Sequence, residues 1–124
     1  MTVGRSATVP SRGDVILVPF PFAELTASEA RPAVVVSGRE FLRAEGKIVV
    51  AAITSNIKAH GGSTNLHLAR WRECGLLKPS VVTSWLATLA PELILIRIGT
   101  LKGEQMRAVE SRCARHLNCE PAKG

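Results

Sequence analysis

The sequence predicts a mainly β domain, a small and strongly curved antiparallel sheet or barrel closed by one C-terminal helix. Five or six short apolar runs of strand length follow one another at close spacing. Helical patterns do not alternate with them, which argues against a βαβ architecture. Only the last element differs. From Gly103 to about Leu117, the residues Met106, Val109, Cys113 and Leu117 recur every three or four positions, the period of an amphipathic helix.

The first strand is "DVILVPF" (14–20), ended by the Pro19-Phe20-Pro21-Phe22 segment, because proline cannot donate to a ladder. A polar loop, "AELTASEA" (23–30), leads to "RPAVVVS" (31–37), a β-branched strand with Pro32 at its tolerated starting position. "GREFLRAEG" (38–46) reads as one helical turn or an irregular loop. "KIVVAAIT" (47–54) is the third strand, and a Gly-Gly breaker punctuates the loop 55–65. "LHLA" (66–69) alternates as a short edge strand does, and "RWRECGLLKPS" (70–80) is irregular. "VVTSWLATL" (81–89) is a further strand, and "PELILIRIGTL" (91–101) is a turn followed by an apolar run. Arg107, Arg112 and Arg115 fall off the apolar face of the final helix. The expected organisation is a flexible leader (1–11), one domain (12–117) and a flexible tail (118–124).

The 124 residues are 46% hydrophobic and 21% charged, so the chain has the composition of a globular domain rather than a disordered one. No apolar run approaches the length of a membrane span, and the N-terminus has no apolar signal core. A cytoplasmic location is expected. Cys74, Cys113 and Cys119 make an odd count, which fits reduced thiols better than a disulfide framework. Cys113, His116 and Cys119 have a loosely metal-like spacing, but no fourth ligand is evident and Cys113 belongs to the apolar helix face. The formal charge of +6 favours polyanionic partners, nucleic acid first. With two Trp, three Phe and no Tyr, a base-stacking platform has few aromatics to draw on.

"IVVAAITSN" (48–56) raises the functional question, because six apolar residues end abruptly in two hydroxyls and an amide. Arg31 lies directly before one strand, and Thr54 with Ser55 ends another. If 32–37 and 48–53 pair antiparallel, Arg31 and Thr54 meet at one edge of the sheet. A guanidinium beside a hydroxyl can hold a phosphate. Equally, an Arg before a strand can be a solvated end, and Thr-Ser can simply open a turn.

"RGDVILVPFPF", "RPAVVVS", "VVAAITS", "GLLKPSVV" and "IGTL" occur in order before the final helix. Together they resemble the MazF/PemK toxins of type II toxin–antitoxin systems, from about Arg12 to Leu117. The resemblance implies an SH3-like barrel of the PemK/CcdB type with a C-terminal helix, assembled as a homodimer. It implies an endoribonuclease that cuts single-stranded mRNA at a short sequence. A cognate antitoxin would lay an acidic, disordered C-terminal tail over the RNA groove. The catalytic pair of the family maps onto Arg31 and Thr54.

RNA supplies its own nucleophile, the 2′-hydroxyl, so no cofactor or metal is expected. The enzyme must align the 2′-oxygen with phosphorus and stabilise the growing negative charge. Proton transfer is less clear. Some relatives carry an acid on the strand matching 81–86, and here the nearest residue is Trp85. A tryptophan there is expected in the core, with base stacking as the alternative. His60 and, behind it, His67 are acid–base candidates. Ser55 and His60 stand as assisting groups, and Ser28, Glu29, Asn56, Lys58, Lys78 and Trp85 as RNA contacts. Arg39 and Arg70 are further candidates for phosphate. Two rival readings share the barrel: a non-catalytic CcdB-like gyrase inhibitor, and a plain basic nucleic-acid-binding module.

Overall fold

The computed structural model describes residues 9–19 and 30–119. Among them, six strands form one antiparallel sheet: β1 (Asp14–Pro19), β2 (Ala30–Val35), β3 (Ile48–Thr54), β4 (Leu66–His67), β5 (Val81–Leu89) and β6 (Ile96–Thr100). Their order across the sheet is β4-β5-β3-β2-β1-β6. Helix α1 (Arg39–Glu45) joins β2 to β3, and α2 (Gly103–His116) follows β6. Short 3₁₀ turns occupy Ile57–His60, Trp71–Cys74 and Pro91–Leu93. The sheet curls into a half-barrel with the C-terminal helix packed on it, as the strand pattern predicts. Among the described residues no helix is long and apolar enough to cross a membrane.

Alternation along the strands gives the sheet two apolar sides. Val15, Val34, Ala51, Ile53 and Val82 pack with Leu68, Cys74 and Leu76 and with Met106 and Val109 of α2. Ile16, Val18, Ala33, Val35, Ile48 and Val50 form a second cluster, against which Leu42 of α1 packs. That contact explains why 39–45 is a seven-residue helix rather than the single turn or irregular loop expected. Helix α2 is tied to the start of β1 by an ion pair between Arg12 and Glu110. Asp14, largely buried, accepts from Arg97 Nε of β6 at 3.1 Å.

The half-barrel is closed by backbone contact rather than by a further ladder. The turn Trp71–Cys74 lies on β6, and Gly75 and Gly99 meet there. A Cβ at Gly75 would overlap the Ile98 carbonyl, and one at Gly99 would overlap the Cys74 carbonyl. Gly75 also has φ +86°, a conformation that L side chains rarely adopt.

Tryptophan 85 departs from the sequence expectation. Ala51 faces Leu86 while Ile53 faces Val82, so β5 carries a bulge over 83–85. Thr83 fills it: its buried hydroxyl donates to Ala52 O at 2.8 Å and accepts the Trp85 N–H at 3.1 Å. The bulge turns Trp85 outward and leaves it 50% exposed, not in the core. Thr83→Val, nearly the same shape, strands both partners. It should lower stability by about 1–3 kcal/mol in urea unfolding, whereas Thr83→Ser should lose much less.

Ser28 and Glu29 lie outside the described residues, as does the rest of the polar loop before Ala30. The same holds for residues 1–8 of the expected leader and 120–124 of the expected tail.

Candidate active site

The site is a row of residues running across the sheet. Strand β2 pairs with β3 through Ala33↔Ala52, Val34↔Ala51 and Val35↔Val50. Carried two residues further, this register sets Arg31 opposite Thr54. On the other flank of β2, Arg31 faces Val18, and on the other flank of β3, Thr54 faces Val81. Val81 in turn faces His67 of β4. Directly opposed residues of an antiparallel sheet point to the same side. The row Val18, Arg31, Thr54, Val81, His67 therefore shares one side, that of the Ala33 and Ala52 cluster. Trp85 lies on the same side, two residues before Ala87, which packs against that cluster.

Thr54 is half-buried, and its Oγ1 accepts the Asn56 N–H at 3.1 Å. That bond fixes the hydroxyl oxygen and leaves its proton to donate. Arg31 is half-buried at the opposing position. Ser55, Asn56 and Lys58 follow Thr54 and are exposed. Ser55 O accepts the Ile57 N–H at 2.9 Å, which starts the 3₁₀ turn carrying Lys58. His60 ends that turn, and its side chain is outside what the structure describes. Lys78 is exposed just before β5, where its carbonyl accepts from Ser80 Oγ at 2.8 Å. The sheet thus gathers Arg31, Thr54, Ser55, Asn56, Lys58 and Lys78 at one end. Arg39 opens α1 beyond the other end of β2, and Arg70 lies in a turn near Glu73, so neither joins the row.

The polarity of this end follows from the chain. Arg31, Lys58 and Lys78 are the cations gathered at this end, and Glu73 is the single carboxylate between 46 and 91. A strongly cationic surface attracts a polyanionic strand and is sensitive to salt.

The cysteines lie outside this row. Burial, with a smaller contribution from Glu73, pushes the Cys74 thiol up, and burial followed by Glu110 does the same for Cys113. Cys113 packs against the core, while His116 and Cys119 are exposed. Among the described residues, no three His, Cys, Asp or Glu side chains gather as metal ligands.

A family model described as PemK-like, MazF-like toxin of type II toxin–antitoxin systems matches residues 11–117. The chain belongs to this toxin family. No curated protein shows significant sequence similarity to the toxin. Among solved structures, it resembles the Mycobacterium tuberculosis toxin MazF-mt6, with 22% identity and a TM-score of 0.68, over 86% of this chain and 98% of that one. A mycobacterial endoribonuclease in complex with its cognate antitoxin is 18% identical, with a TM-score of 0.67 over 91% and 97% of the two chains. A MazE–MazF complex of Deinococcus radiodurans is 18% identical, with a TM-score of 0.70 over 91% and 99%. At these identities the structural likeness establishes the fold, that of MazF toxins.

Sequence reading of the toxin placed Arg31 and Thr54 together but set His67 behind His60. What it lacked was the pairing of a two-residue strand. His67 enters the row only because β4 pairs with β5 in this register.

Proposed function

We propose that the toxin is a sequence-selective endoribonuclease. It cuts single-stranded RNA without a metal and leaves 2′,3′-cyclic phosphate and 5′-hydroxyl ends. The observation that carries the reading is the register that places Arg31 opposite Thr54 on one side of the sheet.

A phosphodiester held there meets two donor groups. The guanidinium of Arg31 presents a planar fork suited to two phosphate oxygens, and it stays charged at any physiological pH. Thr54 Oγ1 accepts the Asn56 N–H, which leaves its own proton to donate to the same phosphate. Both groups stabilise the charge that builds on the phosphorane oxygens as the 2′-oxygen attacks. Since the nucleophile is part of the substrate, the chemistry needs alignment and charge stabilisation more than an activated water. Lys58 and Lys78 border the row and hold flanking phosphates. Trp85 offers a base a stacking surface on the same side.

The reading includes two protein partners. Leu93, Leu95 and Ile96 are 41%, 54% and 54% exposed at the edge formed by β6, an apolar patch that a second copy would cover. A cognate antitoxin with an acidic disordered tail would be drawn to the cationic end of the sheet and compete with RNA.

The test is incubation of antitoxin-free protein with a long unstructured RNA in EDTA. The expected products accept phosphate from a kinase at their 5′ ends and carry cyclic 3′ ends. Tight binding of RNA without cleavage would instead favour a nucleic-acid-binding barrel, and neither binding nor cleavage would favour a gyrase inhibitor of the CcdB kind.

A further inference from the structure

Arg31 and Thr54 leave one requirement of RNA cleavage unmet. Arginine has five N–H donors and no acceptor. The Thr54 oxygen accepts from Asn56, and a hydroxyl is a poor base in any case. Neither can take the proton from the attacking 2′-hydroxyl. The strand 81–89 carries no carboxylate. Among the described residues of the row, the group left that can accept a proton is His67.

We infer that His67 is the proton-accepting residue of the site, and that Asn65 and Arg112 are positioning residues that hold it there. The inference deepens the endoribonuclease reading and rests on it. His67 is exposed and faces Val81, which faces Thr54. Two strand spacings, about 10 Å at the backbone, separate His67 from Thr54. Val81 between them is fully buried, so a nucleotide reaching both side chains would pass over it rather than against the sheet.

The surroundings of β4 support this placement. A two-residue strand has little pairing of its own, yet its position is fixed by polar contacts from three directions. Asn65 Oδ1 accepts the Ser84 N–H at 3.0 Å, inside the bulge of β5. The Asn65 carbonyl accepts from Arg112 Nε of α2 at 3.3 Å. On the far side of His67, the Leu68 N–H donates to Ser80 O at 3.0 Å. Arg115 of α2 also reaches the Ser63 carbonyl at 3.2 Å. These bonds set the register His67↔Val81 and turn Leu66 toward the α2 side of the sheet, so that His67 turns toward the row.

The step is a transesterification. Neutral His67 takes the 2′ proton on an imidazole nitrogen. The freed 2′-oxygen bonds to phosphorus, the P–O5′ bond breaks, and the leaving 5′-oxygen takes a proton from water. The imidazolium then returns its proton to the hydroxide so formed.

Among elements packed against β4, α2 brings Arg112 and Arg115, and β5 brings no charged residue, with Lys78 before it. Lys58 and His60 precede β4 in the 3₁₀ turn, Arg70 follows it, and Arg31 lies further along the row. Because the reacting form is the neutral base, activity falls on the acid side.

The experiment is the pH profile of kcat/KM on a short RNA for the parent, His67→Gln, His60→Gln, Asn65→Ala and Asn65→Asp, each checked for folding by circular dichroism. The parent should lose activity on the acid side of its profile. His67→Gln should be about 10²–10⁴-fold slower, with that limb gone and KM little changed. Asn65→Ala should lower kcat but keep the limb, and Asn65→Asp, which can still accept the Ser84 N–H, should restore most of it. A His67→Gln protein with the parent's rate and limb overturns the inference. So does disappearance of the limb in His60→Gln instead. Absence of any cleavage by the parent would overturn the endoribonuclease reading itself, a distinct result.

Discussion

Arg31→Ala should lower kcat for RNA cleavage by about 10²–10³-fold or more, with the fold intact and RNA binding only weakened. The magnitude is that of removing a preorganised donor aimed at a developing oxyanion. Arg31 combines that role with a full charge. Folding should survive because Arg31 stands at the start of β2, outside the apolar clusters that hold the sheet. Arg31→Lys separates charge from geometry. It keeps the cation and loses the planar fork, so it should recover only a small part of the rate. Single-turnover kinetics with saturating protein would measure both. A loss of less than about tenfold in Arg31→Ala would mean that the phosphate is held elsewhere.

The second large effect is on stability. Gly75→Ala should destabilise the domain by about 3 kcal/mol or more. It adds the cost of a close-packed overlap, about 1–3 kcal/mol, to the cost of a side chain in the left-handed region, about 1–2 kcal/mol. The overlap falls on backbone, the Ile98 carbonyl, which cannot rotate aside. Gly99→Ala meets the Cys74 carbonyl from the opposite direction and should cost somewhat less, because Gly99 has no positive φ. Domains of this size are stable by about 5–15 kcal/mol, so Gly75→Ala should show a clear fall in urea midpoint. An unchanged midpoint would mean that the turn Trp71–Cys74 can leave β6 without cost.

Much of this was legible in the chain. The runs read at 14–20, 47–54 and 81–89 are the strands observed at Asp14–Pro19, Ile48–Thr54 and Val81–Leu89, because each is β-branched and bounded by turn residues. The three-and-four spacing from Met106 to Cys113 gave α2. The pairing of Arg31 with Thr54 followed from two strands of similar length with a short connection. Other features depend on contacts that no local pattern records. Helix α1 needed Leu42 to find a core provided by distant strands. Trp85 read as a core residue because large aromatics are mostly buried. Its exposure follows from a bulge held by the Thr83 hydroxyl and the Ala52 carbonyl, residues 31 apart in sequence. His67 was legible on a short edge strand, but its place in the row depends on the register of that strand with β5, which no local pattern records. The roles of Arg112 and Arg115 were also hidden, since an arginine off the apolar face looks the same whether it meets solvent or a loop carbonyl.

The most direct test of the central claim maps the 5′ ends produced from one long RNA, in EDTA, by the parent, Arg31→Ala and Thr54→Ala. The account predicts discrete cuts at a short recurring sequence in the parent and their disappearance in both variants. Identical cuts in all three proteins would place the chemistry outside the row that joins β2 to β3.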